Sequence, residues 1–320
     1  MAATSSFCNE TTGEWNRLSA ASRDTITRIT CDVVAEERAR LAGHRPVLAW
    51  VGITGHTVAE CLQHLRCAIA CGADGVVLAP LSVVDSPGVV ALLQGPVTDC
   101  MGDAGRHVPL LLYDNAAITA DGGAPHLRTR DVKRLSRLDH VVGIKVSALA
   151  RVLGSYTRGA RHFNERHAFA VYVGNAFDIV SLFRPRQELV GVVNDHWRRY
   201  WLQASRPDGV VSGHANVLPR EWQRAWLACE RGEVQAMETM QQVLQALRAA
   251  TRFSAGGATH KRTIACLKLA LKIQGVISDA SVAPGTPSLS AAQQSEFARR
   301  FAEIQATVQT VVEPRWRSLQ

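Results

Sequence analysis

The sequence predicts an α/β barrel domain followed by a helical domain. Short apolar segments typical of β-strands recur between residues 46 and 216, and segments with apolar residues at helical spacing separate them. After Leu218 only helical spacing continues. Strands separated by helices favour parallel βαβ units with both faces of the sheet covered. We therefore expect a barrel domain over residues 1–217 and a domain of three helices over residues 218–320.

The strand-like segments and the segments with helical spacing predict the following elements in chain order. The first helix is expected over residues 19–41, with Ser19 as its N-cap, because apolar residues such as Ile29 and Val33 recur there at helical spacing. Strands are predicted at 46–53, 72–81, 108–116, 140–150, 167–175 and 208–216, and intervening helices near 57–71, 87–103 and 129–138. The C-terminal helices are predicted at 221–250, 259–276 and 290–312, where Pro284, Gly285 and Pro287 separate the last two.

The composition is typical of a globular protein with a full core, since 47% of the 320 residues are apolar. No apolar run is long enough to cross a membrane, and the N-terminus has no basic region followed by an apolar run, so we expect neither a membrane span nor a signal peptide. The net charge of +8 is spread along the chain without a dense basic run, which argues against nucleic-acid binding. The eight cysteines form no CxxC pair, and we expect a cytoplasmic protein without disulfides or a metal site.

Lys145 is the residue that most needs an explanation, because it stands in the otherwise apolar segment HVVGIKVSALA at 140–150. Side chains alternate along a strand, so Gly143, Lys145 and Ser147 share one face. A lysine in apolar surroundings has its charged form disfavoured, which lowers its pKa and makes a nucleophilic amine available, as a Schiff-base lysine requires. The alternative is a lysine at a strand end that reaches solvent.

Further candidates stand where strands or turns end, which is where an α/β barrel carries its site. Thr11 and Thr12 precede Gly13 in a turn whose hydroxyl and backbone N–H groups suit a carboxylate, although a helix-capping turn has the same composition. Tyr113 ends a predicted strand and can relay protons, unless it only packs. Gly174 ends the next-to-last strand, where a glycine lets a ligand approach the backbone.

Taken in order, these segments resemble the dihydrodipicolinate synthase and N-acetylneuraminate lyase family, the class I, pyruvate-type Schiff-base lyases built on a (β/α)8 TIM barrel. The resemblance spans nearly the whole chain. It is carried by TTGE at 11–14, GITGHTVAE at 52–60, GADGVVLAP at 72–80, LLLYDN at 110–115, VVGIK at 141–145, VGN at 173–175 and GVVSGHANVLPR at 209–220.

The resemblance implies a role for each matching residue. Lys145 would attack the keto carbon of pyruvate or another 2-keto acid and then act as an electron sink. Tyr113 would shuttle protons among the Schiff base, the substrate and water. Thr11 and Thr12 would bind the keto-acid carboxylate, with the second hydroxyl joining the proton relay.

The same resemblance implies backbone contacts to the bound substrate from Gly174 and Val211. It implies no metal or organic cofactor. The expected partners are a small 2-keto acid and further copies of the chain, in a dimer or tetramer.

The chain also departs from the family pattern. Ten residues precede the TTGE turn, where the family carries its first strand, first helix and most of its second strand, so we expect a barrel that lacks its first βα unit. Ile118 stands where the synthases have an arginine for the second substrate, and Leu81 and Ser82 stand where they have an interface tyrosine. These losses favour an aldolase or dehydratase acting on pyruvate or a 2-keto-3-deoxy acid. The alternatives are a divergent 4-hydroxy-tetrahydrodipicolinate synthase and a non-catalytic, truncated relative.

Overall fold

A curled sheet of parallel strands, covered by helices, forms the first part of the protein. The computed structural model describes residues 4–41, 47–120, 123–148, 150–160, 169–174, 177, 179–183, 207–255 and 258–313. The sheet has seven strands that neighbour one another in chain order. They are β1 (Thr4–Cys8), β2 (Val47–Gly52), β3 (Gly75–Leu78), β4 (Leu110–Asp114), β5 (Val141–Val146), β6 (Ala170–Val173) and β7 (Gly209–Val210). Each neighbouring pair is parallel, as the alternation of strands and helices predicts. Of the seven, β1 has no counterpart among the predicted strands, because TSSFC carries little apolar character.

Helices connect these strands. Within the described chain they are α1 (Ala20–Arg40), α2 (Val58–Ala70), α3 (Ser86–Leu92), α4 (Thr98–Asp103), α5 (Thr129–Leu135), α6 (Ala150–Gly159) and α7 (Ile179–Phe183). The single helix expected near 87–103 is interrupted by a π-helical turn at Leu93–Val97, which contains Pro96. Proline lacks the N–H that an uninterrupted α-helix needs at this position.

The first helix confirms its predicted start and only part of its predicted apolar face, on which Val34 is buried. The Ser19 hydroxyl accepts a hydrogen bond from the backbone N–H of Ser22 at 3.1 Å, as an N-cap does. However, Ile29 and Val33 are 51% and 49% exposed. The buried face instead contains the Arg23 guanidinium, which donates a hydrogen bond to the carbonyl of Gly52 at 3.0 Å and so turns that side of α1 toward the sheet.

One face of the sheet is packed with large side chains that lie over glycines of the neighbouring strand. A cluster of buried residues comprises Val77, Ala79, Leu111 and Tyr113, and Phe7, Trp50, Ile118 and Tyr172 pack against it. A Cβ atom added to Gly75 would lie 2.6 Å from the Trp50 ring, and one added to Gly209 would lie 2.7 Å from the Tyr172 ring. Each aromatic ring therefore occupies the space that its glycine partner leaves open.

The C-terminal region differs from the predicted domain of three helices. Its described part contains α8 (Pro219–Arg231), α9 (Val234–Ala250), α10 (Thr263–Ile273) and α11 (Ala291–Thr307), and an antiparallel hairpin of β8 (Arg252–Ala255) and β9 (Ala258–Lys261). The helix predicted at 221–250 is two helices, because Gly232 adopts a left-handed conformation (φ 69°) that ends α8. The hairpin occupies the start of the helix predicted at 259–276.

The described residues divide into two compact units. The first comprises the chain up to Gly174 together with 207–210, and the second comprises 177–183 together with 211–313. The domain boundary predicted at 217/218 stays a prediction. Within the ranges given above, no helix combines the length and apolar character needed to cross a membrane.

Candidate active site

The candidate site lies where β1, β4, β5 and β6 end, all within the first unit. Register pairs Tyr113 of β4 with Lys145 of β5, and Lys145 with Tyr172 of β6. Paired residues of parallel strands point to the same face of the sheet, so these three side chains lie on one face. The turn with Thr11 follows β1, and Gly174 follows β6.

Lys145 forms a buried ion pair with Glu10, which was not among the residues predicted for the site. The Nζ atom of Lys145 lies 2.8 Å from Oε2 of Glu10, and the two residues are 7% and 8% exposed. The same Nζ atom lies 4.0 Å from the centroid of the Tyr113 ring. A strand-end lysine reaching solvent is therefore not what the structure contains.

The ion pair reverses the expected direction of the pKa shift. Burial by itself lowers the pKa of Lys145, but the nearby Glu10 carboxylate, with a smaller contribution from Tyr113, outweighs it and raises the pKa above the ordinary value. The prediction of a lowered pKa is therefore wrong for this structure. The amine rests as an ammonium ion beside a carboxylate, and it becomes nucleophilic only when a proton leaves it.

The backbone around Glu10 is fixed from the side of α1. Asn9 adopts a left-handed conformation (φ 53°), which asparagine tolerates better than most residues. Its side-chain amide donates hydrogen bonds to the carbonyl of Arg23 at 3.0 Å and to Oγ1 of Thr27 at 2.9 Å. These bonds hold the segment between β1 and the turn at Thr11–Gly13, where Glu10 lies.

The Tyr113 hydroxyl is the centre of a hydrogen-bond network. The Asn115 side-chain amide donates to it at 2.9 Å, and the Thr11 hydroxyl donates to it at 3.4 Å. It lies 3.2 Å from Oγ of Ser147. A phenol can both donate and accept hydrogen bonds, and either hydroxyl can be the donor in the bond between Tyr113 and Ser147. The network is a chain along which a proton can move.

The sequence-predicted residues occupy this site to different degrees. Lys145, Tyr113 and Thr11 are brought together, and the contact to Tyr113 comes from Thr11, not from Thr12. Thr12 is half-buried in the same turn, and its share in the proton relay stays a prediction.

Gly174 borders the same network. A Cβ atom there would lie 2.2 Å from Oγ of Ser147, so only glycine leaves room for that hydroxyl beside Tyr113. Val211 directly follows β7 but belongs to the second unit, and its contact with a substrate stays a prediction. Asn175, the last residue of the VGN segment at 173–175, lies outside the described residues.

Two network members could have been found from the sequence. Ser147 was placed on the face of Lys145 by strand alternation, and its hydroxyl is suited to a proton relay. Asn115 stands two residues after Tyr113, and its Oδ1 accepts a hydrogen bond from the backbone N–H of Ala117 at 3.1 Å, which turns its amide toward Tyr113.

A second polar cluster lies behind β4, on the side opposite the Tyr113 hydroxyl. The buried Asp114 carboxylate accepts a hydrogen bond from the Tyr156 hydroxyl. Its other oxygen lies 2.9 Å from Nδ1 of His126. Burial and the adjacent Asp114 raise the pKa of Tyr156. The Tyr156 hydroxyl also bonds to the carbonyl of Leu127 at 2.9 Å. The cluster ties the segment after β4 to α6 and so supports the position of Tyr113.

Metal binding has no evident location in the described part of the chain. Among those residues, no group of three or more histidine, cysteine, aspartate or glutamate side chains is arranged to hold an ion.

The parallel strands in chain order define an α/β fold of the TIM-barrel type. A buried lysine lies where its strands end. Solved structures of dihydrodipicolinate synthase family proteins share this fold. The synthase from Bacteroides thetaiotaomicron is 18% identical, with a TM-score of 0.73 over 94% of this chain and 87% of the other. A prophage protein of the same family from Escherichia coli K12, solved in complex with pyruvate, is 19% identical, with a TM-score of 0.69 over 94% and 87%. A monomeric dihydrodipicolinate synthase variant is 18% identical, with a TM-score of 0.70 over 94% and 85%.

These structures show the fold of the chain and agree with the family resemblance found in its sequence. No protein-family model matches the sequence, and no curated protein matches it.

Proposed function

We propose that the protein is a lyase of the dihydrodipicolinate synthase type that forms a Schiff base between Lys145 and pyruvate or another 2-keto acid. The observation that carries the proposal is the buried Lys145 amine at the strand ends, in contact with a carboxylate and a tyrosine. A buried lysine beside proton-transfer groups has the parts that imine chemistry requires. Thr11 and Thr12 would bind the substrate carboxylate, and Gly174 would line the substrate.

The proton relay supports this proposal. Schiff-base formation moves protons between the amine, the oxygen that leaves and water. Tyr113 lies against the amine and connects to Thr11 and Ser147 through its hydroxyl. It is therefore in position to pass a proton between a bound keto acid and the surrounding hydroxyl groups.

An aldolase or dehydratase is favoured over a synthase by the surroundings of Ile118. This residue stands where the synthases of the resemblance carry an arginine for the second substrate. Here its side chain packs against the apolar cluster that contains Tyr113. Leu81, which stands where the synthases have an interface tyrosine, is also buried. An apolar group at this place gives no charge to a second carboxylate, so we propose a single 2-keto acid or 2-keto-3-deoxy acid as substrate.

A dimer or tetramer and a cytoplasmic location remain part of the proposal. One structural neighbour is a monomeric synthase variant, so the fold is compatible with a single subunit as well.

Borohydride trapping tests the function. The purified protein is incubated with pyruvate and reduced, and intact mass with peptide mapping locates the adduct. We expect an adduct at Lys145 that is absent in Lys145→Ala and retained in Lys133→Ala, because Lys133 is an exposed lysine of α5 away from the site. A folded, monodisperse protein that gives no adduct with pyruvate or with a panel of 2-keto acids would contradict the lyase function and favour a non-catalytic relative.

A further inference from the structure

We propose that Glu10 is the general base and acid that exchanges a proton with Lys145 while the Schiff base forms. The inference rests on the function proposed above and assigns a further catalytic residue to the same site. Its basis is the direct contact of 2.8 Å between the Glu10 carboxylate and the atom of Lys145 that reacts.

The contact is short enough for a proton to pass directly between the two side chains. Both side chains are about nine-tenths buried, so little water competes for the proton that they share. Inside a protein, a hydrogen bond between charged groups is stronger and shorter than one between neutral groups. The titratable groups that act on the amine are Glu10 from the segment after β1 and Tyr113 from β4, and Cys8 of β1 lies within electrostatic range of Glu10.

The ion pair makes a base necessary. An ammonium group has no lone pair, so Lys145 cannot attack a carbonyl carbon until it loses a proton. Glu10 is the acceptor at hydrogen-bond distance. Transfer of the proton gives a neutral amine beside a neutral carboxylic acid, with no change in the charge of the pair.

The remaining steps return that proton. The amine nitrogen attacks the keto carbon, the carbonyl π electrons move to oxygen, and a proton passes from nitrogen to that oxygen through the Tyr113 hydroxyl to give a carbinolamine. The Glu10 acid then protonates the carbinolamine hydroxyl, the C–O bond breaks, water leaves and the C=N bond forms. The products are a protonated imine, one water molecule and the Glu10 carboxylate. Lys–NH3⁺ and the ketone thus become Lys–NH⁺=C and water without a net gain or loss of protons.

Glu10 is held in place for this role. Asn9 precedes it and is anchored through Arg23 and Thr27 on α1. The carbonyl of Glu10 accepts a hydrogen bond from the N–H of Gly13 at 2.8 Å, which closes the turn after it. A catalytic group fixed on both sides loses little freedom when it reacts.

The test measures how fast the borohydride-trappable adduct with pyruvate accumulates in the full-length protein. We expect Glu10→Gln and Glu10→Ala to slow it by about 100-fold or more, the usual contribution of a general acid–base group, and Glu10→Asp to restore part of the rate. Sodium formate at fixed pH and ionic strength should accelerate Glu10→Ala in proportion to its concentration, because a small acid fits the space that the side chain leaves. A group that only positions Lys145 gives no such rescue.

The matched control is Glu221→Gln, which also removes a buried carboxylate near a cation, since Glu221 lies 3.7 Å from Arg224 in the second unit. Its adduct rate should equal that of the unmodified protein, and circular dichroism checks that each variant is folded. A Glu10→Gln rate equal to the unmodified rate, or a slow Glu10→Ala without formate rescue, would overturn the role of Glu10 alone. Absence of an adduct in the unmodified protein would overturn the lyase function together with it.

Discussion

Lys145 and Glu10 are separated by 135 positions in the chain and meet in the fold. Strand alternation predicts which face Lys145 and Ser147 share, because that periodicity is local. It does not predict the partner of the amine, since the partner comes from the segment after another strand. The charge state of Lys145 therefore followed from Glu10 and not from the strand that carries the lysine. An acidic residue directly before Thr11 was the available signal.

The first prediction concerns the Tyr113 hydroxyl. Tyr113→Phe keeps the ring against Lys145 but removes the group that joins Thr11, Asn115 and Ser147. We expect adduct formation with pyruvate to slow by about 100-fold or more, because general acid–base catalysis is lost. Time-resolved borohydride trapping measures the rate.

Tyr172→Phe serves as the control for this prediction. Tyr172 lies on the same face of the sheet, in register with Lys145, so its loss of a hydroxyl tests whether any phenol near the lysine matters. A Tyr113→Phe rate equal to that of the unmodified protein would show that the Tyr113 network does not carry protons.

At the scale of whole elements, helical spacing located the C-terminal helices but not all their ends. The run at 221–250 keeps an apolar period through Gly232, so the pattern predicts one helix. The backbone conformation of Gly232 instead ends α8, and its N–H bonds to the carbonyl of Cys229 at 3.3 Å. The spacing of apolar residues indicates which helix faces are buried. A single left-handed residue between two helices hardly changes that spacing, so the break at Gly232 is not visible in the pattern.

The second prediction follows from this conformation. Gly232→Ala should lower the free energy of unfolding by about 1 kcal/mol, because a side chain disfavours the left-handed region. No atom within 4 Å would contact the added Cβ, so backbone strain is the sole expected cost. Urea denaturation followed by circular dichroism measures it.

Gly102→Ala is the matched control in α4. Its added Cβ also meets nothing within 4 Å, but its backbone is helical, so alanine should raise stability by roughly 0.5–1 kcal/mol. Identical effects at the two positions would contradict the conformational explanation.

At the scale of the whole molecule, three histidines make stability depend on pH. Burial lowers the pKa of His64, His140 and His214, and Arg23 and His107 add to the effect at His64 and His140 respectively. For His214 the pKa falls from 6.5 to about 4. The unfolded chain therefore takes up protons on these residues at a higher pH than the folded chain does.

The third prediction is a loss of stability in weak acid. The contribution of these neutral histidines to the free energy of unfolding is fully present above pH 6.5. It should be lost as the pH falls toward about 4. His214→Gln, which keeps a neutral polar group against Phe177, should make the unfolding free energy less dependent on pH in this range. Denaturation curves at several pH values measure the slope, and an unchanged slope in the variant would contradict the assignment to His214.

The order of the sheet was the most predictable feature of the molecule. Strand segments such as VLAWVG and LLLYD separated by helical segments leave few arrangements other than a parallel sheet in chain order. The site followed only in part. Tyr113 and Lys145 lie in predicted strands, whereas β1 was not predicted and Glu10 follows it. Strand β1 pairs along its whole length with β2, and that pairing, not its composition, makes TSSFC a strand.

The rings that lie over glycines have a consequence for how this sequence can change. Trp50 with Gly75, and Tyr172 with Gly209, each fill one volume with two residues. A larger residue at either glycine is compatible with the fold only when its aromatic partner becomes smaller in the same lineage. The two positions of each pair are therefore expected to covary in an alignment of descendant sequences.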